Sequence, residues 1–265
     1  MKFKNIMIWL SLAALFAIMA GCGSEKQTND AIQQEAGVEL TISAAASLKD
    51  ALHEIGDLYA DEHNNVELLF NYGASGALQQ QIEQGAPADL FLSAAAKNMN
   101  ALVEQELIVP DSAADLLKNE LVIIVPKDAG RKLASISDVM QVKKLAIGIP
   151  ETVPAGSYAK EALEYAGLWN ELEERTVQAK DVRQVLQYVE TGNADAGFVY
   201  KTDAMASSKA VISLAVDPQS YSPIVYPMGI VKATKHAEEA KQFYTYLRSK
   251  QAAVIFEKFG FKMAD

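Results

Sequence analysis

The stretch Val38-Glu-Leu-Thr-Ile-Ser-Ala-Ala-Ala-Ser47-Leu-Lys-Asp-Ala-Leu-His-Glu-Ile-Gly-Asp-Leu-Tyr59 changes character in its middle. Val38–Ser43 is a short apolar run of strand type. Leu48, Ala51, Leu52, Ile55, Leu58 and Tyr59 then recur at the i, i+3, i+4, i+7 spacing of one helix face. Only Ala44-Ala-Ala-Ser47 lies between, so a strand feeds a helix through a turn of small residues. A strand passing into a helix is the repeating unit of an α/β fold.

The same alternation continues almost to the end of the chain. Further strand candidates are Val66–Tyr72, Asp89–Ser93, Leu121–Pro126, Lys144–Ile149, Arg175–Ala179, Ala196–Tyr200, Val211–Val216 and Ile224–Val231. Leu78 and Ile82 mark a short helix. Val182, Val185, Leu186 and Val189 mark another, ended at Gly192. A helix is expected over Ser157–Ala166, a long one over Lys235–Lys250 and a last one over Ala252–Phe259. This order predicts mostly parallel sheets flanked by helices. So many strands exceed one doubly wound sheet, and two α/β lobes are expected. The chain should cross near Lys118–Leu121 and return near Pro227–Ile230. Lobe I then spans 38–118 plus 230–265, and lobe II spans 119–229. Ligands of open α/β sheets sit beyond the carboxyl ends of the strands, which here means the cleft between lobes.

Composition narrows the function. Half of the 265 residues are apolar and 22% are charged, ample for a packed core. The 24 basic and 34 acidic side chains leave a net charge of -10. That balance argues against a nucleic-acid binder, which needs a basic face. A single cysteine rules out a disulfide framework within the chain, and with three histidines it makes a Cys/His zinc site a poor expectation.

The first thirty-odd residues carry an address. Lys2 and Lys4 precede an uncharged apolar run from Ile6 to Ala20, and Gly21 and Cys22 follow. This reads as a signal peptide over 1–21. Met-Ala-Gly-Cys22 resembles a bacterial lipobox, with Met19 where Leu is usual. Cleavage before Cys22 would leave its thiol carrying lipid, which holds a protein to a membrane without a spanning helix. Residues 22–37 then form a polar tether. The expected location is the outer face of the cell membrane. The exported chain keeps 22 basic and 34 acidic residues, a charge of -12. No other apolar run approaches a membrane span.

Four strand-to-helix turns, two per expected lobe, are the candidate site. They carry Ser47, Gly73-Ala-Ser75-Gly, Val153-Pro-Ala155-Gly and Lys180-Asp181-Val182. Each helix start presents unpaired N–H groups and roughly +0.5 charge. Four converging starts approach about +2, enough to offset a dianion with no Lys or Arg. The plainer alternative is that Ser47, Ser75 and Asp181 simply cap their helices, and for Asp181 that is the preferred reading. Tyr200, at the end of Ala196–Tyr200, is either a half-buried aromatic or one more donor closing the cleft.

Catalytic readings are weak. Gly73-Ala-Ser75-Gly lacks the spacing of a nucleophile elbow. His53, His63 and His236 read as surface residues on or beside helices, so a serine hydrolase would lack its base. No dinucleotide or phosphate-loop fingerprint and no calcium loop is present. No cofactor is expected.

Five ordered motifs then resemble one family. They are Ala44-Ala-Ala-Ser47-Leu-Lys-Asp-Ala, Gly73-Ala-Ser75-Gly-Ala-Leu with Gln81-Ile-Glu-Gln-Gly-Ala-Pro-Ala-Asp-Leu-Phe-Leu-Ser93-Ala, Val153-Pro-Ala155-Gly-Ser-Tyr-Ala-Lys-Glu-Ala-Leu, Asp181-Val182-Arg, and Gly197-Phe-Val-Tyr200. Gln251-Ala-Ala-Val-Ile-Phe-Glu-Lys-Phe-Gly-Phe closes the match. Together they look like the molybdate-binding proteins of ABC importers. The resemblance implies a two-lobed substrate-binding protein of the periplasmic type II fold that closes on a tetrahedral oxyanion. It implies Ser47, Ser75, Ala155, Val182 and Tyr200 as the oxyanion contacts, with no direct metal ligation. It also implies molybdate or tungstate as ligand, a membrane permease and an ATPase as partners, and a monomeric, non-catalytic chain. Sulfate or another small anion is the alternative ligand.

Overall fold

The computed structural model describes residues 37–130 and 132–264. The expected signal peptide, Cys22 and the tether as far as residue 36 lie outside the described residues.

The strands are β1 (Val38–Ala45), β2 (Val66–Gly73), β3 (Leu90–Leu92), β4 (Ala114–Lys118), β5 (Leu121–Pro126), β6 (Leu145–Gly148), β7 (Thr176–Ala179), β8 (Ala196–Tyr200), β9 (Ala210–Ala215), β10 (Val225–Ile230) and β11 (Lys262–Met263). The helices are α1 (Lys49–Glu62), α2 (Ser75–Glu83), α3 (Ala96–Glu104), α4 (Pro154–Tyr165), α5 (Trp169–Leu172), α6 (Val182–Glu190), α7 (Lys201–Met205), α8 (Ala237–Leu247) and α9 (Lys250–Lys258).

Two sheets organise them. The first has the order β11-β4-β10-β3-β1-β2, the second β7-β6-β8-β5-β9. The chain leaves the first sheet after β4 and re-enters it at β10. The two-lobed architecture is therefore as expected. The return comes before Val225, though, whereas the sequence suggested 227–230. The whole apolar run that ends at Ile230 belongs to the first sheet, where Val225–Met228 pair with β4 and Met228–Ile230 with β3. Both sheets are mixed rather than mostly parallel. β1 runs parallel to β2 and β3, and β6 parallel to β7 and β8. β10 and β5 run antiparallel to their partners. These are the strands that begin or end at the crossings, so their direction is set by the change of lobe and not by a helical crossover.

Helix faces follow the sequence closely. α1 buries Ala51, Leu52, Ile55 and Tyr59, while Leu58 turns to solvent at 36% exposure. α6 buries Val182, Val185, Leu186 and Val189, all four of its expected positions. The C-terminal segment is two helices broken at Ser249, whose hydroxyl accepts the Ala252 N–H and so caps α9. α4 starts at Pro154, earlier than expected, since proline suits the first helical position. The strands β4 and β11 and the helices α3, α5 and α7 were not foreseen. β4 buries only the adjacent pair Leu116 and Leu117, too short a signal to separate from a helix. No helix of the described residues is long and apolar enough to cross a membrane.

Candidate functional site

The turns after β1, β2 and β6, the start of α6 and the end of β8 meet at one small cavity. Its walls include Ser47, Ser75, Ala155, Val182 and Tyr200, all five of the expected positions. Ala45, Ala46, Gly73, Ala74, Ala94, Val153 and Pro154 complete the lining. The cavity is tight, about 10 Å³ by the measure on which a single ordered water needs about 10–15 Å³. Every one of the five is buried, from 0% exposure at Ser75 and Ala155 to 4% at Val182.

Local sequence explains why backbone donors face this space. The residues preceding the helical turn Ala46–Leu48, α2 and α4 are Ala45, Ala74 and Val153, and none caps with its side chain. Side chains without oxygen cannot satisfy the first N–H groups of a helix, which leaves those donors to a ligand. Neither serine is a cap. Ser75 is the first residue of α2, and its Oγ accepts the Ala94 N–H at 2.9 Å. With that lone pair used, its O–H is left to donate. Ser47 Oγ lies 2.9 Å from the Tyr226 hydroxyl. Asp181, by contrast, caps α6 as preferred, accepting the Gln184 N–H at 2.8 Å.

Tyr200 is more buried than a default aromatic at a strand end. It is 1% exposed, and its hydroxyl closes no hydrogen bond among the described residues. Tyr226 packs edge-on beside it at 5.7 Å between ring centres, near enough to influence its titration without the geometry of a bond. Burial first, and then Tyr226, hold the Tyr200 phenol well above its ordinary value. It therefore keeps its proton at neutral pH and is available as a donor. A buried hydroxyl without a partner costs about 1–3 kcal/mol, which a ligand oxygen at this cavity would offset.

The lining carries no charged side chain and no histidine. His53 is exposed on α1. His63 and His236 end one helix and open another, and are partly buried rather than fully at the surface. His63 stacks on Tyr59 at 4.0 Å. The serines thus lack a base. Among the described residues no cluster of three or more His, Cys, Asp or Glu could hold a metal ion.

Charge stands just behind the cavity, and here the sequence reading missed the main residue. Arg183 follows Val182 on α6. Its Nη2 lies 2.7 Å from Asp50 Oδ2 on α1 of the other lobe and 3.4 Å from the Ser47 carbonyl. Its Nε lies 2.8 Å from Asp203 Oδ1, yet off the hydrogen-bond axis. Asp203 is fully buried and accepts the Tyr200 N–H at 3.3 Å. Burial pushes its carboxyl up to about 6, against the pull of Arg183. For Arg183, burial works to lower the value, and Asp203 and Asp50 outweigh it. The Asp181-Val182-Arg motif contained the residue, but nothing in it pointed to partners on distant segments.

The lobes also touch through backbone. The Gly76 N–H donates to the Thr152 carbonyl at 2.9 Å. Lys97 Nζ reaches Ser157 Oγ at 3.0 Å. Close approach recurs within the second lobe, where a Cβ on Gly156 would fall 2.0 Å from the Gly148 carbonyl oxygen. Glycine at 156 lets the first turn of α4 lie against the end of β6, which holds Ala155 in the wall.

Residues 40–262 match the family described as bacterial extracellular solute-binding protein. The chain is 49% identical over 259 residues to a Bacillus subtilis (strain 168) protein provisionally named ABC transporter substrate-binding lipoprotein YvgL, covering 98% of each. It is 37% identical over 262 residues to the molybdate-binding protein ModA of Escherichia coli (strain K12), covering 96% of this chain and 97% of that one. Among solved structures, the periplasmic molybdate-binding protein of Azotobacter vinelandii superposes with a TM-score of 0.76 at 25% identity, over 85% of this chain and all of the other.

Proposed function

This chain belongs to the bacterial extracellular solute-binding proteins, a binding and not a catalytic family, and on that premise we propose that it captures molybdate and delivers it to an ABC importer. The partners are the membrane permease and the cytoplasmic ATPase of that importer. The observation that carries this reading is the cavity itself: five buried positions from both lobes surround one small space that offers donors and no charged side chain. Molybdate is fully deprotonated at neutral pH and only accepts hydrogen bonds. Tungstate has the same charge and tetrahedral form, and we propose that it is accepted as well.

In this reading Ser47 and Ser75 donate through their hydroxyls, Ala155 and Val182 through backbone N–H groups, and Tyr200 through its phenol. The anion closes the cleft by bonding both lobes at once. Lobe I, with the C-terminal helices, and lobe II move as two bodies about the crossings after β4 and before β10.

Calorimetric titration of the exported chain with molybdate, tungstate, sulfate and phosphate tests this. One-to-one binding of the first two is expected, with little heat from phosphate, whose proton finds no carboxylate acceptor in the lining. Ser47→Ala and Ser75→Ala each remove a hydrogen bond to a charged ligand, and each should weaken binding roughly 10- to 100-fold with the fold intact. Unchanged affinity in both variants would remove these residues from the site.

The chain is proposed to act as a monomer held to the outer face of the cell membrane by lipid on Cys22, with 22–37 as the tether. Cys22→Ser should move the protein from the membrane fraction to the soluble one. Retention of this variant at the membrane would count against the lipid anchor.

A further inference from the structure

Ser47 is held by a hydrogen-bonded chain that runs to both lobe crossings. Its Oγ lies 2.9 Å from the Tyr226 Oη, and either atom could donate in that pair taken alone. The next link favours Tyr226 as the donor. Asn119 Nδ2 lies 3.2 Å from Tyr226 Oη and 3.0 Å from Thr202 Oγ1. Its Oδ1 accepts the Glu120 N–H at 2.8 Å. A backbone N–H can only donate, so the Asn119 amide must face Glu120 with its oxygen and Tyr226 with its nitrogen. Tyr226 Oη therefore accepts a hydrogen bond from Asn119, which leaves its own O–H to donate to Ser47 Oγ. The Ser47 proton is then left over and is directed to the cavity.

Tyr226 and Ser47 are 1% and 2% exposed, so water cannot substitute freely in this chain of bonds. Asn119 sits in the crossing after β4, and its N–H donates to the Ile224 carbonyl of the returning segment at 3.2 Å. Tyr226 lies on β10, just past the return. Neither residue lines the cavity.

We propose that Asn119 and Tyr226 are positioning residues that commit the Ser47 hydroxyl to donate, and so set the preference for fully deprotonated oxyanions over those that carry a proton. This rests on the reading of the cavity as a molybdate site. An anion such as monohydrogen phosphate must place its own O–H on an acceptor. Ser47 Oγ is a natural candidate, and the Tyr226 O–H takes one of its two lone pairs.

Asn119→Asp is the sharp test because it keeps the size and reverses the relay. The new carboxylate offers Tyr226 an acceptor in place of a donor. The Tyr226 proton then turns to that carboxylate, Ser47 donates to Tyr226, and the site loses one hydroxyl proton. The full chain, purified in detergent, is titrated with molybdate and with phosphate at pH 8. Asn119→Asp should weaken molybdate binding roughly 10- to 100-fold where Ser47 is present. In a Ser47→Ala background most of that loss should vanish, leaving only the part due to the added charge. Tyr226→Phe, which frees the Ser47 lone pair that Tyr226 takes, one of two, should narrow the molybdate-to-phosphate affinity ratio by about 5-fold or more. Should Asn119→Asp fail to fold, the ratio in Tyr226→Phe decides alone. Losses from Asn119→Asp and Ser47→Ala that simply multiply, or an unchanged ratio in Tyr226→Phe, would overturn the relay while wild-type binding still upheld the receptor. A wild-type chain that binds no molybdate would overturn both.

Discussion

Replacing Gly76 by alanine should weaken anion binding roughly 10- to 100-fold while leaving the ligand-free protein no less stable. Gly76 is the second residue of α2 in the first lobe, and its N–H donates to Thr152 in the second. A Cβ here would lie 2.7 Å from the Thr152 carbonyl oxygen and 2.9 Å from its Cα. Both are backbone atoms in the turn that carries Val153 and Ala155, so neither can swing aside as a flexible side chain would. Overpacking of this kind costs about 1–3 kcal/mol, and each 1.4 kcal/mol is tenfold in affinity. Gly76 does not have the positive φ that excludes side chains. Alanine suits a helix better than glycine by up to about 1 kcal/mol. The strain therefore exists only with the lobes together, and an opened cleft escapes it. Thermal melts with and without molybdate, alongside titration, separate the two effects. A wild-type melting temperature with reduced ligand-induced stabilisation is expected. Wild-type affinity would mean that the lobes bind the anion without this contact.

Much of this contact was visible in the sequence as a type and not as a place. Gly73-Ala-Ser75-Gly was legible as a turn of small residues that a ligand can approach closely. That Gly76 meets the opposite lobe was not, because its partner lies on a segment read separately. The same division runs through the fold. Strand-to-helix alternation is local, and it located the turns bearing Ser47, Ser75, Ala155 and Val182. Strand direction is not local: the apolar runs at Leu121–Pro126 and Val225–Ile230 look like any parallel strand, and only the crossing between lobes reverses them. For the serines, the choice between cap and ligand depended on which atoms take their lone pairs. Ser75 spends its lone pair on Ala94, nineteen residues away, and Ser47 pairs with Tyr226, 179 residues away. Arg183 finds Asp50 across 133 residues. A single sequence carries no trace of such pairings.

Arg183→Met should destabilise the fold by about 3–5 kcal/mol at pH 8, and the deficit should shrink as the pH falls toward 5. Arg183 is the cation that faces the fully buried Asp203, and methionine keeps most of its length without the charge. The remaining carboxylate would be buried with one backbone N–H at 3.3 Å as its support. Asp203 already titrates at about 6, against an ordinary value of 3.8, with burial as the main cause. An acid whose folded value exceeds its unfolded one binds its proton more tightly when folded. Its contribution to stability is therefore lost as pH rises from 3.8 through about 6 and is regained on acidification through the same window. Removing Arg183 takes away the largest influence holding the value down, so the window extends upward toward neutral pH. Denaturant midpoints of both proteins at pH 8, 7, 6 and 5 measure this directly. A deficit independent of pH would mean that lost packing, and not the unpaired charge of Asp203, accounts for the effect. The same substitution removes the Asp50 pair that bridges the lobes. Molybdate affinity should therefore fall even at pH 5, where Asp203 protonation has restored much of the stability. Stability and binding then respond to one residue through two different partners, and pH is the variable that separates them.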